Sequence, residues 1–287
     1  MTTPVISFGE IVWDQFDDGV KMGGAPLNVA YHLHAVGQSG GIISRIGQDE
    51  LGEKTLARIQ ELGLAVSGIQ VDDELPTGLV LVSLDAHGEP NFEIAAPAAW
   101  DNIQTEPVLT FIKDMPFHLV FGTLAQRSKT SRNTLKHLLA GAKTKFYDVN
   151  LRPPYTVPDL VLESLQAADV VKVNREELFC LADWFLGKRE GAVRDLGREL
   201  LSSFDLLLLA ITEGSQGARL VSRDDYAEHK GFEVKVADPV GSGDAFFATL
   251  INGYLTGLPL AESLRQANKR GAWVASQQGA TPAYPKS

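Results

Sequence analysis

Short apolar runs alternate with longer stretches whose apolar residues recur at helical spacing, and this rhythm fills most of the 287-residue chain. Residues 5–8, 42–46, 118–121, 145–149, 169–173 and 206–211 are short and largely apolar, as strands buried on both faces of a parallel sheet must be. Between them, residues 27–36, 51–62, 130–140 and 189–201 place apolar side chains three and four apart, which predicts helices that cover the sheet and serve as right-handed crossovers. The expected fold class is α/β: a doubly wound, mostly parallel sheet flanked by helices, a three-layer sandwich.

One stretch breaks the rhythm. Residues 77–84 and 91–94 read as a hairpin whose turn contains Asp85, His87 and Gly88. With the strand-like 68–71, it predicts a small sheet outside the main core, built mainly from about 68–100 and part of 11–22. Further on, 218–221 and 232–236 read as antiparallel strands, followed by helices over 244–256 and 260–277. No internal repeat, low-complexity tract or linker interrupts the chain, so 1–287 reads as a single domain with a small β appendage.

Composition narrows the partners. An apolar content of 44% can bury one substantial core. A net charge of -10 and a pI near 5.1 repel nucleic acid and anionic lipid, so neither partner is expected. Cys180 is the lone cysteine, in an apolar helical stretch, and reads as a small core residue in a reducing compartment. The first residues lack a basic, then apolar, leader, and no run approaches the roughly 18 apolar residues of a membrane span. The expectation is a soluble cytoplasmic protein. His32 and His34, two apart on a predicted helix, face different ways, and the other histidines are scattered, so no histidine metal centre is expected.

The candidate chemistry lies in Asp238-Pro239-Val240-Gly241-Ser242-Gly243-Asp244, which joins a strand to a helix. Gly241 and Gly243 admit backbone conformations that let successive N–H groups converge on an anion at the positive end of the helix. Asp244, in the first turn, stands where it can take a proton from an attacking hydroxyl while those N–H groups hold the transferring phosphoryl group. A second segment, Gly23-Gly24-Ala25-Pro26-Leu27-Asn28, pairs glycines that let a ligand approach with a proline suited to a first helical turn. Its asparagine offers both donor and acceptor to a sugar hydroxyl. Asn150 and Arg152 follow a strand's carboxyl end, where open α/β sheets place their ligands.

These two segments, in this order near opposite ends of the chain, resemble the signature motifs of the ribokinase-like (PfkB) carbohydrate kinases. Over the whole chain the resemblance is closest to bacterial fructokinases: Gly9-Glu10 then Asp14, Ser44-Arg45-Ile46-Gly47, Ala99-Trp100-Asp101, Phe121-Gly122-Thr123-Leu124, Asp148-Val149-Asn150-Leu151-Arg152 and Gly279-Ala280-Thr281-Pro282 all look like that subgroup. It implies transfer of the γ-phosphoryl group of ATP to a sugar hydroxyl, fructose first, with 2-keto-3-deoxygluconate, ribose or a nucleoside as alternatives within the family. It further implies Asp244 as base, Gly241, Ser242 and Gly243 as anion hole, and Asp14, Gly23, Gly24 and Asn28 as sugar contacts. Asn150 and Arg152 join the substrate side, as does Phe92 from a lid that excludes water. Asn174, Thr212, Gly214, Gly217 and Asn268 fall to the nucleotide, and Glu177 to Mg2+ through water. Asp238 and Val240 occupy the positions matching a monovalent-cation site, which implies K+. A homodimer through the lid is a further implication. Pro239 and Ser242 depart from the commoner Thr and Ala of the second motif while leaving its glycines and carboxylate in place.

Other classes fit less well. A nicotinamide oxidoreductase needs a glycine fingerprint after the first strand, and Ser7-Phe8-Gly9-Glu10-Ile11-Val12 has none. No G-x-x-x-x-G-K-[ST] segment supports a P-loop triphosphatase. A non-catalytic sugar-binding protein would keep Asp14 and Asn28 and dispense with Asp244.

Overall fold

The computed structural model describes residues 3–16, 19–84 and 90–285, with 16, 82–84 and 90–92 described by backbone alone. In chain order the strands are β1 (Val5–Phe8), β2 (Val12–Phe16), β3 (Gly19–Gly23), β4 (Gly40–Gly47), β5 (Ile69–Asp72), β6 (Gly78–Leu84), β7 (Pro90–Ile94), β8 (His118–Gly122), β9 (Lys145–Asp148), β10 (Val170–Asn174), β11 (Leu208–Thr212), β12 (Ala218–Ser222) and β13 (Tyr226–His229). The helices are α1 (Ala25–Ala35), α2 (Glu50–Glu61), α3 (Thr105–Phe111), α4 (Lys129–Gly141), α5 (Pro158–Ala167), α6 (Arg175–Leu186), α7 (Val193–Ser203), α8 (Ser242–Leu255) and α9 (Leu260–Ala275).

The main sheet runs β13-β12-β11-β10-β9-β8-β1-β4-β5, parallel from β11 to β5 and antiparallel at the β11–β12–β13 end. Helices bury both faces, so the doubly wound expectation holds. Because side chains alternate along a strand, Tyr147, Val171 and Val173 enter one core with residues of α4 to α7, while Phe146 and Val170 enter the other with α1, α8 and α9. Asp148 and Lys172 fall on the second face, toward α8, and this alternation is what delivers them to the site below.

A second sheet, β3-β2-β6-β7, stands apart. In its cross-strand register Gln15 lies between Val20 and Leu81, and this row is exposed; the next row, Lys21–Asp14–Val80–Ile94, contains Val80, buried against Trp100 and Leu124. Asp14 therefore belongs to the face turned toward the body of the protein. The β2–β3 hairpin is rooted by short connections: residues 9–11 link β1 to β2, and Gly24 alone links β3 to α1. At these roots the chains touch, for a Cβ on Gly24 (φ 111°) would sit 2.5 Å from the Glu10 carbonyl oxygen.

Two expectations are corrected. Segment 68–71 does not join the small sheet: β5 pairs in parallel with β4 at the edge of the main one, Ser44 opposite Ile69. A four-residue apolar run carries no information about which sheet edge it meets. Segment 232–236 forms no strand either; the outer strand is β13, and Gly231 (φ 82°) then turns the chain off the sheet, leaving Phe232, Val234 and Val236 exposed. The expected turn at Asp85, His87 and Gly88 lies outside the described residues.

Candidate active site

Strands β1, β8, β9, β10 and β11 end along one edge of the sheet, and residues at the ends of β1, β8 and β9 line a small cleft there. Facing this edge is the start of α8. Gly241, its N-cap, takes a left-handed conformation (φ 79°) and supplies no capping side chain. The ladder resumes only at the Ala245 amide, which donates to the Gly241 carbonyl at 2.9 Å. The amides of Gly243 and Asp244 thus sit at the positive end of a 14-residue helix, an arrangement that favours an anion.

Asp244 occupies the first turn, and Asn28 Nδ2, from the first turn of α1, donates to its Oδ2 at 2.8 Å. The two sequence motifs, 216 residues apart, therefore meet through one hydrogen bond. Asn28 is buried and its Oδ1 has no partner among the described residues, so one acceptor is left unused. Burial pushes the Asp244 carboxyl up to about 6; Asp148 adds to the rise, while Lys172, the Asn28 hydrogen bond and Arg152 oppose it. A carboxyl so placed is ionised near neutrality yet basic enough to take a proton.

Beneath the loop, Lys172 Nζ bonds both Asp148 oxygens, at 2.8 and 2.9 Å, and lies 3.6 Å from where a Cβ on Gly243 would be. Burial works against its charge, but the carboxylates of Asp148, Glu177 and Asp244 outweigh it and raise its pKa. Glu10, in the β1–β2 connection, is 4% exposed, and its Oε2 has no partner among the described residues. Burial pushes it up to about 7, its own backbone hydrogen bond and Arg152 oppose that, and Asp244 and Asp148 reinforce it. Sequence reasoning gave no role to Glu10 or to the Lys172–Asp148 pair. The available signal was a lysine inside the apolar run Val170-Val171-Lys172-Val173, which a buried strand tolerates only with a partner.

The remaining candidates are distributed around this centre. Asp14 is partly buried and raised by burial, with Arg152 and Lys21 opposing. Asn150 (φ 39°) lines a small cavity with Glu10, Gly122, Thr123 and Asp148. Arg152 is exposed; its Nη1 donates to the Leu151 carbonyl at 3.1 Å. Gly23 closes β3 and Gly24 caps α1. The side chain of Phe92 lies outside the described residues.

On the other side of the anion hole, β10 and β11 end with Asn174 opposite Thr212. Asn174 caps α6, accepting from the Glu177 amide at 2.8 Å, and Glu177 returns the bond through Oε2 to the Asn174 amide; its Oε1 accepts from Leu151 N at 2.8 Å. Burial raises the Glu177 carboxyl and Lys172 opposes it. Gly214 opens a single 3-10 turn after β11, and Gly217 (φ 92°) ends it. Asn268, buried on α9, points its Nδ2 at the His229 carbonyl, 3.5 Å away. Asp238 accepts from Val240 N at 3.0 Å and Gly279 N at 3.2 Å. Among the described residues no three acidic, histidine or cysteine side chains cluster to hold a metal. A cavity of about 310 Å³ lies far from this chemistry, beside β5 and α3; its Arg45 is already paired with Asp72 at 2.7 Å and Gln70 at 3.2 Å.

Residues 2–287 match the model of the pfkB family carbohydrate kinases. A fructokinase of Klebsiella pneumoniae is 29% identical over 298 residues, covering 96% of this chain and 94% of its own length. A crystal structure of a sugar kinase from Pyrococcus horikoshii in complex with ATP superposes with a TM-score of 0.83 at 27% identity, over 96% of this chain and 94% of that one. The fold is likewise that of an Escherichia coli protein described as a putative ribokinase II (TM-score 0.84, 22% identity, 98% and 95% covered). No helix among the described residues is long and apolar enough to cross a membrane. The chain belongs to the pfkB family of carbohydrate kinases and has its ribokinase-like fold.

Proposed function

We propose that this protein transfers the γ-phosphoryl group of ATP to a hydroxyl of a neutral sugar, fructose first. The observation that carries the reading is the Asn28–Asp244 hydrogen bond, which ties the predicted sugar motif to the carboxylate at the mouth of the anion hole. Asp244 takes the proton of the attacking hydroxyl, and the Gly241–Ser242–Gly243 backbone holds the charge on the transferring group. Asp14, Gly23, Gly24, Asn28, Asn150, Arg152 and Phe92 are the residues assigned to the sugar. The unpartnered acceptors Asn28 Oδ1 and Glu10 Oε2 suit hydroxyl donors.

Asn174, Thr212, Gly214, Gly217 and Asn268 are assigned to the nucleotide. Magnesium prefers oxygen ligands and retains water, and each Glu177 oxygen, holding one backbone amide, keeps a lone pair for such a water. When bound, the ion neutralises phosphate charge. Asp238 and Val240 are assigned to a monovalent cation, potassium by family analogy.

The charges of the cleft favour a neutral sugar over an acidic one. Glu10, Asp14 and Asp244 bring three carboxyls to the site, Lys172 is already held by Asp148, and Arg152 and Lys21 act on carboxyls already present there. The exposed Val20–Gln15–Leu81 row of the small sheet is the face assigned to a lid-to-lid dimer.

The test is a coupled ADP-release assay with ATP and magnesium across fructose, ribose, 2-keto-3-deoxygluconate and adenosine. Turnover with fructose at least about tenfold above the others is expected, equivalent to ~1.4 kcal/mol of transition-state discrimination. Preference for 2-keto-3-deoxygluconate would overturn the charge argument, and no turnover on any acceptor would overturn the kinase reading.

A further inference from the structure

Asn28, Tyr31 and His32 stand three and four apart on α1 and so share one face of it. Asn28 holds the Asp244 carboxylate. One turn further along, the same face grips the segment that follows α9: His32 Nε2 is 2.9 Å from the Ala280 carbonyl oxygen, and the Tyr31 hydroxyl donates to the Pro282 carbonyl at 2.7 Å. Ala280 is also the residue on which the anion-hole loop rests. A Cβ added to Gly241 would lie 2.6 Å from Ala280 Cα and 2.8 Å from its oxygen, and the neighbouring Gly279 amide bonds Asp238 at the start of the loop. A single helix face thus contacts both the proposed base and the underside of the proposed phosphate cradle.

The hydrogen-bond chemistry fixes the imidazole. A carbonyl only accepts, so Nε2 must carry the proton and Nδ1 must be the acceptor. Its partner, 2.6 Å away, is the Tyr284 hydroxyl, which therefore donates. Tyr284 is itself held from α9: its ring stacks on Trp273 with centroids 4.6 Å apart, and the Arg270 guanidinium lies 4.2 Å over it. His32 is fully buried, and burial lowers its pKa to about 4, with the Ala280 bond opposing and Arg270 assisting. The ring is neutral in the working range, and both its nitrogens are used.

We infer that His32 is a positioning residue for phosphoryl transfer, setting the height of the anion-hole loop through Ala280, with Tyr284 selecting the tautomer that donates to it. The inference rests on the phosphate reading of the 241–244 loop. Ordinary packing of a terminal segment would require apolar contact alone, whereas here a buried two-bond imidazole joins the loop's support to the helix that holds Asp244.

Three variants test it with two readouts: amide hydrogen exchange of 238–245, and kcat against KM for the sugar. His32→Leu removes both bonds. Exchange in the loop is expected to rise, and kcat to fall, by about tenfold, the worth of a buried hydrogen bond, with sugar KM within about twofold. His32→Gln, which offers an amide donor in place of Nε2–H, is expected to restore kcat to within about threefold of the parent. Tyr284→Phe keeps the stacked ring and frees the tautomer, giving an intermediate loss; it decides the matter if His32→Leu does not fold. Unchanged exchange in the loop for the folded variants overturns the inference, as does raised exchange with unchanged kcat, or Gln performing no better than Leu. If the parent phosphorylates no sugar, the kinase reading fails while the exchange data still decide whether His32 orders the loop.

Discussion

Replacing Asp244 by asparagine should make the protein nearly inactive and more stable at once. The substitution keeps the size of the side chain and leaves an amide oxygen to receive the Asn28 donor, but removes the proton acceptor. General base catalysis contributes about 10²–10⁴-fold, so kcat should fall by at least about a hundredfold with sugar KM little changed. The stability effect follows from the carboxyl's environment. Its ordinary value of 3.8 is pushed up to about 6 in the folded protein, chiefly by burial. The native state therefore binds more protons than the unfolded chain between those limits, and stability is lost as pH rises through that window. Above pH ~6 the deficit is complete, ~3 kcal/mol at ~1.4 kcal/mol per tenfold. Asparagine abolishes it, so the melting temperature should rise by roughly 5–10 °C at about pH 8, and by only about a degree or two at about pH 4. The assays are ADP release at saturating ATP and thermal melts at the two pH values. A variant that keeps near-normal turnover would refute Asp244 as the base, and one whose melting gain is the same at both pH values would refute the buried-charge account.

Other consequences can be measured the same way. Glu10→Gln should stabilise the protein above pH ~7, where the carboxylate is forced to ionise, and not below its ordinary 4.5; because Glu10 and Asp244 repel each other, combining the two substitutions should gain less than the sum of the separate shifts in melting temperature. Lys172→Met leaves Asp148 buried without its cation and should cost ~3–5 kcal/mol in chemical denaturation. In whatever folds, the acid limb of kcat/KM should move to higher pH, because Lys172 helps keep Asp244 ionised; an unmoved limb would show that the lysine acts by packing alone. Arg127→Leu should cost a similar ~3–5 kcal/mol, since Arg127 makes two bonds to the buried Asp101 (2.8 and 2.7 Å) and lies 3.9 Å over the Trp100 ring. A melting temperature within a degree or so of the parent's would refute that weight.

The parts of this molecule that were legible in the sequence are those governed by local rules. Continuous apolar runs marked β1, β8, β9 and β10 because both faces of a central parallel strand are dry, and glycine spacing marked the α8 N-terminus because backbone conformation is a local property. What failed depended on distant partners. The run at 68–71 was visible as a strand, yet its pairing with β4 rather than with the small sheet is decided by contacts made across the fold. Residues 232–236 alternate like a strand, but Gly231 directs them away from the sheet edge. The short helices α3 and α5 lack the long periodic runs that announce a helix, and were not foreseen. At the site, Asn28 and Asp244 were identified separately, but the hydrogen bond between them belongs to the packing of α1 against α8. Glu10 lies in a motif that assigned it no role, and Lys172 and His32 had no motif at all; each draws its character from burial, which is not a local property.

The adjoining roots of the β2–β3 hairpin have a mechanical consequence. Where Gly24 abuts the Glu10 carbonyl no side chain fits, so the strand that carries Asp14 and the helix that carries Asn28 meet backbone to backbone. A bulkier residue at 24 would spread these two elements, and with them the two side chains we assign to the sugar.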